Sequence, residues 1–141
     1  MKNKKSLFIH DYFQNMGGGE KLILSLIKNE DNLITSFVDN KILKFLNKKK
    51  IRILQNNQKV SLKIKKILTP FYFNYSSNSY VYKNCVISGN YSVFFNLSKV
   101  KNKIFYCHSL PKIFFDYENF YSTNLLYKFI IKLIGVFFKK I

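Results

Sequence analysis

The chain has 141 residues, and 48% of them are hydrophobic, which is enough for one globular domain with a substantial core. The formal net charge of +17 favours a polyanionic partner, although an AT-rich coding sequence explains the same excess of lysine without selection for charge. Nucleic acid is not the expected partner. Base readout favours arginine, Arg52 is the only one, and no zinc-finger, recognition-helix or RNP-type pattern is present.

The N-terminal residues predict a chain without an export signal. Lysines are followed by an apolar run of only Leu7, Phe8 and Ile9, which is too short for a signal peptide. Cys85 and Cys107 are therefore interpreted as reduced, buried thiols rather than as a disulfide. A cytoplasmic location follows from this interpretation.

The first predicted unit is a buried strand at residues 6–10, a glycine loop, and a helix that opens at Glu20. The loop ends in Gly17, Gly18 and Gly19, which suit a sharp turn and a close approach of backbone to a ligand. The first N–H groups and the positive dipole end of the helix would favour a phosphate or diphosphate. A tight turn without a ligand fits the glycines equally well, and Glu20 would compete with a bound phosphate. Neither the P-loop nor the spaced dinucleotide pattern is present.

The first helix is predicted to be two-faced, with Leu22, Ile23, Leu26 and Ile27 on its core-facing stripe. A strand at residues 32–38, a helix at 40–46 and a strand at 51–54 follow. Strands that alternate with helices at this spacing indicate an α/β fold in which helices cover both faces of a parallel sheet.

Residues 59–68 predict a basic amphipathic helix that Pro70 ends. Its apolar side is assigned to Val60, Ile64, Ile67 and Leu68, and its basic side to Lys59, Lys63 and Lys66. An aromatic cluster follows at residues 71–75. A cationic helix beside such rings suits a lipid interface, and it also fits a solvated helix packed on a sheet.

Residues 85–88 and 104–107 are continuous apolar runs, which predict strands buried on both faces. Cys107 and His108 are adjacent on a strand and point to opposite faces, so they do not form a thiol–base dyad with each other. Residues 124–141 predict an amphipathic helix that falls short of the ~18 uninterrupted apolar residues of a membrane span. This helix requires a partner surface on the sheet, a second domain or a membrane.

Three blocks of sequence occur in a characteristic order. The first joins residues 9–12 (IHDY) to residues 17–21 (GGGEK), the second is residues 86–89 (VISG), and the third is residues 105–111 (FYCHSLP). Together they resemble glycosyltransferase family 4 proteins of the polysaccharide and lipopolysaccharide sugar-transferase kind. The third block departs from the family at Ser109, Leu110 and Pro111, where a Thr-Pro run is usual.

The resemblance implies a GT-B architecture, in which two Rossmann-like domains face a cleft. Such enzymes transfer a sugar from a nucleotide-sugar with retention and without a metal or other cofactor. Gly17, Gly18 and Gly19 would lie against the donor diphosphate. His108 would contact the transferred sugar, and His108 and Asp11 are assigned as the catalytic residues. His10, Asp11 and Tyr12 would lie near the acceptor hydroxyl. A pair of residues that caps a strand end is the structural alternative for His10 and Asp11.

The resemblance assigns residues 1–141 to the N-terminal, acceptor-side domain. The donor-binding domain, with its paired glutamates, would follow Ile141 or be supplied by a separate chain. The implied partners are a nucleotide-sugar donor, a lipid-linked or cell-envelope glycan acceptor, and an anionic membrane at the inner face of the plasma membrane. The alternative is a non-catalytic Rossmann-like remnant that binds a membrane or a protein through residues 124–141.

Overall fold

The computed structural model of the protein describes residues 5–46, 50–57, 59–76 and 81–106. All of them belong to one compact unit, Met1–His108. The described strands are β1 (Leu7–His10), β2 (Asn32–Thr35), β3 (Lys50–Ile53), β4 (Tyr82–Ser88) and β5 (Val100–Tyr106). The described helices are α1 (Gly18–Leu26), α2 (Asn40–Leu46), α3 (Leu62–Tyr75) and a short 3₁₀ helix at Ser92–Phe94.

The five strands form one parallel sheet in the order β3-β2-β1-β4-β5. The chain runs outward from β1 to β3 and then crosses back, so that β4 pairs with the free side of β1. Ile9 at the centre of the sheet is paired with Ile34 on one side and Ile87 on the other. The predicted α/β fold is confirmed, and its topology is Rossmann-like, with the reversal of strand order between β1 and β4.

Helices cover both faces of this sheet, as predicted. On one face Phe8 packs in a cluster with Ile23 of α1 and Ile42 of α2. On the other face Ile9 packs in a cluster with Phe73 of α3. The alternation of side chains along β1 therefore supplies both halves of the core.

The bounds of α2 agree with the prediction, but α1 begins at Gly18 and not at Glu20. Its stripe is also narrower than predicted. Ile23 and Ile27 are buried against the sheet, whereas Leu26 is exposed. Leu24, which the predicted stripe omits, packs against the same core cluster. The sheet covers only part of the apolar surface of α1.

The prediction that Pro70 ends the third helix is wrong, because α3 continues through Pro70 to Tyr75. Proline removes one backbone N–H and costs about 3 kcal/mol inside a helix. Continuing the helix buries Phe73 completely and places its ring edge-on to that of Phe95. The burial of this aromatic ring offsets the missing hydrogen bond.

The predicted faces of α3 are correct only in part. Ile67 and Leu68 are partly buried and Lys63 is exposed, as predicted. Ile64, assigned to the apolar side, is 50% exposed, whereas Lys65 is buried together with Thr69, Pro70 and Phe73. Because Phe73 anchors the helix, the residues one and two turns before it face the sheet. Burial of the Phe73 ring therefore also buries the side chain of Lys65.

The second apolar run, in β5, is not buried on both faces as predicted. Ile104 is 57% exposed, and Phe105 and Tyr106 are exposed with it. The physical reason is position, because β5 is an edge strand of the described sheet and pairs only with β4. In β4, by contrast, Cys85, Ile87 and Ser88 are buried.

The predicted helix at residues 124–141 and the residues Cys107 and His108 lie outside the described part of the chain. Within the described ranges, no helix combines the length and the apolar character that crossing a membrane requires.

Candidate functional site

The candidate site lies where β1 and β4 end. His10, the last residue of β1, is paired with Ser88 of β4, and Ser88 is paired in turn with Tyr106 of β5. The three strands therefore end in one row beside the reversal of strand order. Open parallel sheets bind their ligands in the crevice outside such strand ends.

The Asp11 carboxylate joins the two loops of this crevice. The backbone N–H of Asn90 donates to Oδ2 at 2.7 Å, and those of Tyr91 and Ser92 donate to Oδ1 at 2.9 and 2.7 Å. Charge-assisted bonds of this kind are the stronger class of hydrogen bond. The loop after β1 and the loop after β4 are thus held together by one buried side chain.

Gly89 makes this contact sterically possible. Its φ is +114°, a backbone conformation that side chains strongly disfavour, and an added Cβ would lie 2.4 Å from Cγ of Asp11. The glycine therefore allows the β4 loop to wrap closely around the carboxylate.

His10 is oriented by the neighbouring strand. Its Nδ1 lies 3.1 Å from the backbone oxygen of Ser88 and 3.3 Å from the Ser88 hydroxyl oxygen. A carbonyl oxygen only accepts, so the contact with the Ser88 backbone oxygen requires a proton on Nδ1. The ring is buried, and its centroid lies 4.7 Å from that of Phe13. The imidazole is therefore fixed in direction.

Asp11 carries the most shifted acidic group in this crevice. Burial raises the pKa of Asp11 to about 6, against its ordinary value of 3.8, and the three backbone N–H donors oppose this rise. Desolvation is thus the larger of the two effects. A carboxyl with this pKa can change its protonation near neutral pH.

Tyr12 is held on its aromatic face. Its ring is stacked on that of Phe37, with centroids 4.8 Å apart and planes 9° apart, and the ammonium of Lys66 lies 5.3 Å from the Tyr12 centroid. Burial, followed by the charges of Asp11 and Glu20, raises the pKa of the Tyr12 phenol. The hydroxyl therefore stays protonated at neutral pH, and it is available as a hydrogen-bond donor.

The glycine loop forms the start of α1. Gly17 is the N-cap residue and makes no side-chain cap, while Gly18 and Gly19 are the first helical residues. A Cβ added at Gly18 would have no atom within 4 Å, but one at Gly17 would lie 2.8 Å from Oε2 of Glu20. The carboxylate of Glu20 thus lies against the helix terminus, as a competitor of a bound anion would, whereas Gly18 is open to solvent.

The described residues offer little to thiol or metal chemistry. Burial raises the pKa of the Cys85 thiol to about 12, so this cysteine is a neutral core side chain, which agrees with the predicted buried thiol. Over the same part of the chain, no group of three His, Cys, Asp or Glu residues is placed to hold a metal ion. His108 lies outside the described residues, and its role stays a prediction.

Sequence reasoning missed the part of the crevice that β4 supplies. It used residues 86–89 only as a family resemblance and assigned no contact to Gly89 or to the N–H groups of Asn90, Tyr91 and Ser92. A glycine directly after a buried strand is the signal that was available. Its pairing with Asp11 spans about 80 positions of sequence and depends on the tertiary fold.

The fold and this crevice define a Rossmann-like parallel α/β domain with a candidate ligand site at the reversal of strand order. Comparison of the chain with protein-family models, with curated proteins and with solved structures finds no match.

Proposed function

We propose that the chain is the acceptor-side domain of a retaining, metal-independent glycosyltransferase. The enzyme would move a sugar from a nucleotide-sugar to a lipid-linked or cell-envelope glycan acceptor. The observation that carries the proposal is spatial. The strands that belong to the three blocks resembling family 4 end in one row, because His10, Ser88 and Tyr106 are paired across adjacent strands. Blocks that are distant in sequence thus converge on one crevice.

Within this proposal, His10 and Tyr12 contact the acceptor. The imidazole of His10 is held in a fixed direction at the end of β1, and the Tyr12 hydroxyl is a donor on a fixed ring. Asp11 is predicted to act at the same hydroxyl. Its contacts favour a positioning role, because both of its oxygens already accept backbone N–H groups.

The glycine loop is proposed to face the donor diphosphate. Gly17 and Gly18 are exposed, and the helix they open has nine residues, so its first N–H groups and its dipole favour an anion there. The donor-binding domain would supply the remaining contacts with the nucleotide-sugar.

Location at a membrane surface is supported by one face of α3. Ile64, Phe71 and Tyr75 are exposed and recur at helical spacing on the side opposite to Phe73. Lys63 is exposed on the same helix. Exposed aromatic and basic side chains on one helix suit the interface of an anionic bilayer. The same observation favours a second candidate function, a membrane-binding module without catalysis.

The test is a sugar-transfer assay on the chain combined with the polypeptide that supplies the donor-binding domain. We expect transfer with retention at the anomeric carbon. His108→Ala is expected to lower kcat/KM by about a hundredfold or more, because contacts made to the reacting sugar are worth this much in comparable sites. Ser98→Ala, at an exposed position away from the crevice, is the matched control. Equal rates for the two variants would contradict the assigned role of His108.

A further inference from the structure

A cavity of about 290 Å³ opens at a different part of the same sheet edge, where β2 and β3 end. Its walls come from the residues after β2, from the end of β3 and from the first turn of α3. Lys65, Gln55, Ser61 and Asp39 are among the residues that line it. None of them belongs to the crevice between β1 and β4.

Lys65 is the unusual side chain of this cavity. It is only 9% exposed, and the contact of its ammonium group within the described residues is the ring of Phe37, at 5.8 Å from the centroid. No described carboxylate forms an ion pair with it. Asp39 lines the same cavity, but its Oδ1 atom accepts the backbone N–H of Lys41 at 2.9 Å. A lysine whose side chain is mostly buried and has no described anionic partner favours a bound anion beside its ammonium group.

The surroundings fix Lys65 in place. The Gln55 side-chain amide, at the end of β3, donates to the Lys65 carbonyl at 3.0 Å and contacts the hydroxyls of Ser36 and Thr69. The ring of Phe37 beneath the ammonium is itself stacked on Tyr12. The backbone of Lys65 is therefore fixed at the cavity wall, and the ring of Phe37 lies beside its ammonium group.

The N-terminus of α3 also favours a bound anion. Ser61 caps this helix of 14 residues, and its hydroxyl accepts the N–H of Ile64 at 3.5 Å, which is a long bond. The N–H groups of Leu62 and Lys63 belong to the first turn, which has no partners within the helix. Leu62 and Ser61 line the cavity together with Lys65, so the positive end of the helix dipole and the Lys65 side chain border one space.

We propose that this cavity binds the phosphoryl group of a small phosphorylated metabolite, with the phosphate on Lys65 and the first turn of α3. The volume corresponds to about ten water molecules, which leaves room for a polar body attached to the phosphate. Asn40, Asn56 and the carboxylate of Asp39 line the remainder and suit hydroxyl groups. This inference goes beyond the proposed function and does not depend on it.

The test is a titration of the ¹⁵N-labelled full chain with inorganic phosphate and with glycerol 3-phosphate, followed by amide chemical shifts near physiological salt. We expect the largest shifts at residues 61–65. Lys65→Met keeps most of the length of the side chain and removes its charge, and it is expected to weaken both ligands by about tenfold or more. Lys101→Met removes a charge at an exposed position on β5, away from the cavity, and as the matched control it should change either affinity less than about twofold.

A second pair of variants keeps the test decisive if Lys65→Met does not fold. Ser61→Asp retains a good N-cap and places a negative charge at the cavity, so it should abolish phosphate binding while the fold persists. Ser98→Asp makes the same charge change at an exposed site away from the cavity.

Tighter binding of glycerol 3-phosphate than of phosphate would assign a phosphate monoester, and equal binding would assign the free ion. Shifts spread over the exposed lysines, or equal binding by Ser61→Asp and Ser98→Asp, would overturn the proposal.

Discussion

Replacing Gly89 by alanine is expected to destabilise the protein by about 3 to 5 kcal/mol, a size that marks a specific structural failure. Two costs combine. The φ of +114° strains any residue with a side chain, and the new methyl group would lie 2.4 Å from Cγ of Asp11. Asp11 cannot withdraw without releasing the backbone N–H groups of Asn90 and Ser92. Urea denaturation of the wild-type protein and the variant measures the effect.

The matched control is the same substitution at Gly18. This residue has no positive φ, and an added Cβ meets no atom within 4 Å. Because alanine is the better helix former, Gly18→Ala should leave the free energy of unfolding unchanged or raise it by up to about 1 kcal/mol. If Gly89→Ala were as stable as Gly18→Ala, the close packing of the β4 loop around Asp11 would be wrong.

The second large effect is a dependence of stability on pH that Asp11 produces. Its pKa is about 6 in the folded protein and 3.8 is the ordinary value, so the folded state binds this proton more tightly than the unfolded state. The stabilisation is therefore complete below pH 3.8 and is lost as the pH rises through 6. Its size is about 3 kcal/mol, since each unit of pKa is worth about 1.4 kcal/mol.

Asp11→Asn isolates this contribution, because the variant keeps the shape of the side chain and cannot titrate. The free energy of unfolding of the wild type, minus that of the variant, should fall by about 2 kcal/mol between pH 4 and pH 7. Other groups that titrate in this range act on both proteins alike and cancel. A difference that rises with pH would mean that the three N–H donors outweigh burial and that the pKa of Asp11 is lowered.

Much of the fold could be predicted from local patterns. Alternating strand and helix signals gave the parallel α/β fold, and the bounds of α2 were predicted to the residue. These features follow from periodicity, which is a property of neighbouring residues. The glycine loop and the strand end at His10 also lie where they were expected, at the start of α1 and at the end of β1.

The errors share one physical cause, which is that tertiary contacts decided the outcome. Pro70 lies inside α3 because burial of Phe73 outweighs the lost hydrogen bond, and Lys65 is buried because it lies two turns before the same ring. The apolar run of β5 is exposed because β5 is an edge strand of the described sheet. Burial and edge position depend on the arrangement of the whole sheet, which no local window contains.

The candidate site likewise combines features that local sequence predicts with features that depend on tertiary contacts. The residue types at positions 10–12 pointed to a strand-end site, but the partner of Asp11 could not be found from them. Its three N–H donors are backbone groups of Asn90, Tyr91 and Ser92, and backbone groups leave no signature in sequence. The cavity at Lys65 was missed for a related reason, because periodicity assigned that lysine no place in the core.

The most direct measurement of the central claim is a titration of the ¹⁵N-labelled chain with uridine diphosphate, in the wild type, Gly18→Ala and Gly18→Asp. An aspartate in the first turn is favourable to the helix and repels a diphosphate at its terminus. If the glycine loop faces a donor diphosphate, the amides of Gly17, Gly18 and Gly19 should shift in the wild type. Gly18→Ala should bind within about twofold of it, and Gly18→Asp about tenfold or more weakly. Equal binding by all three proteins, or binding to anionic vesicles without any shift at these glycines, would contradict the account and favour the membrane-binding module.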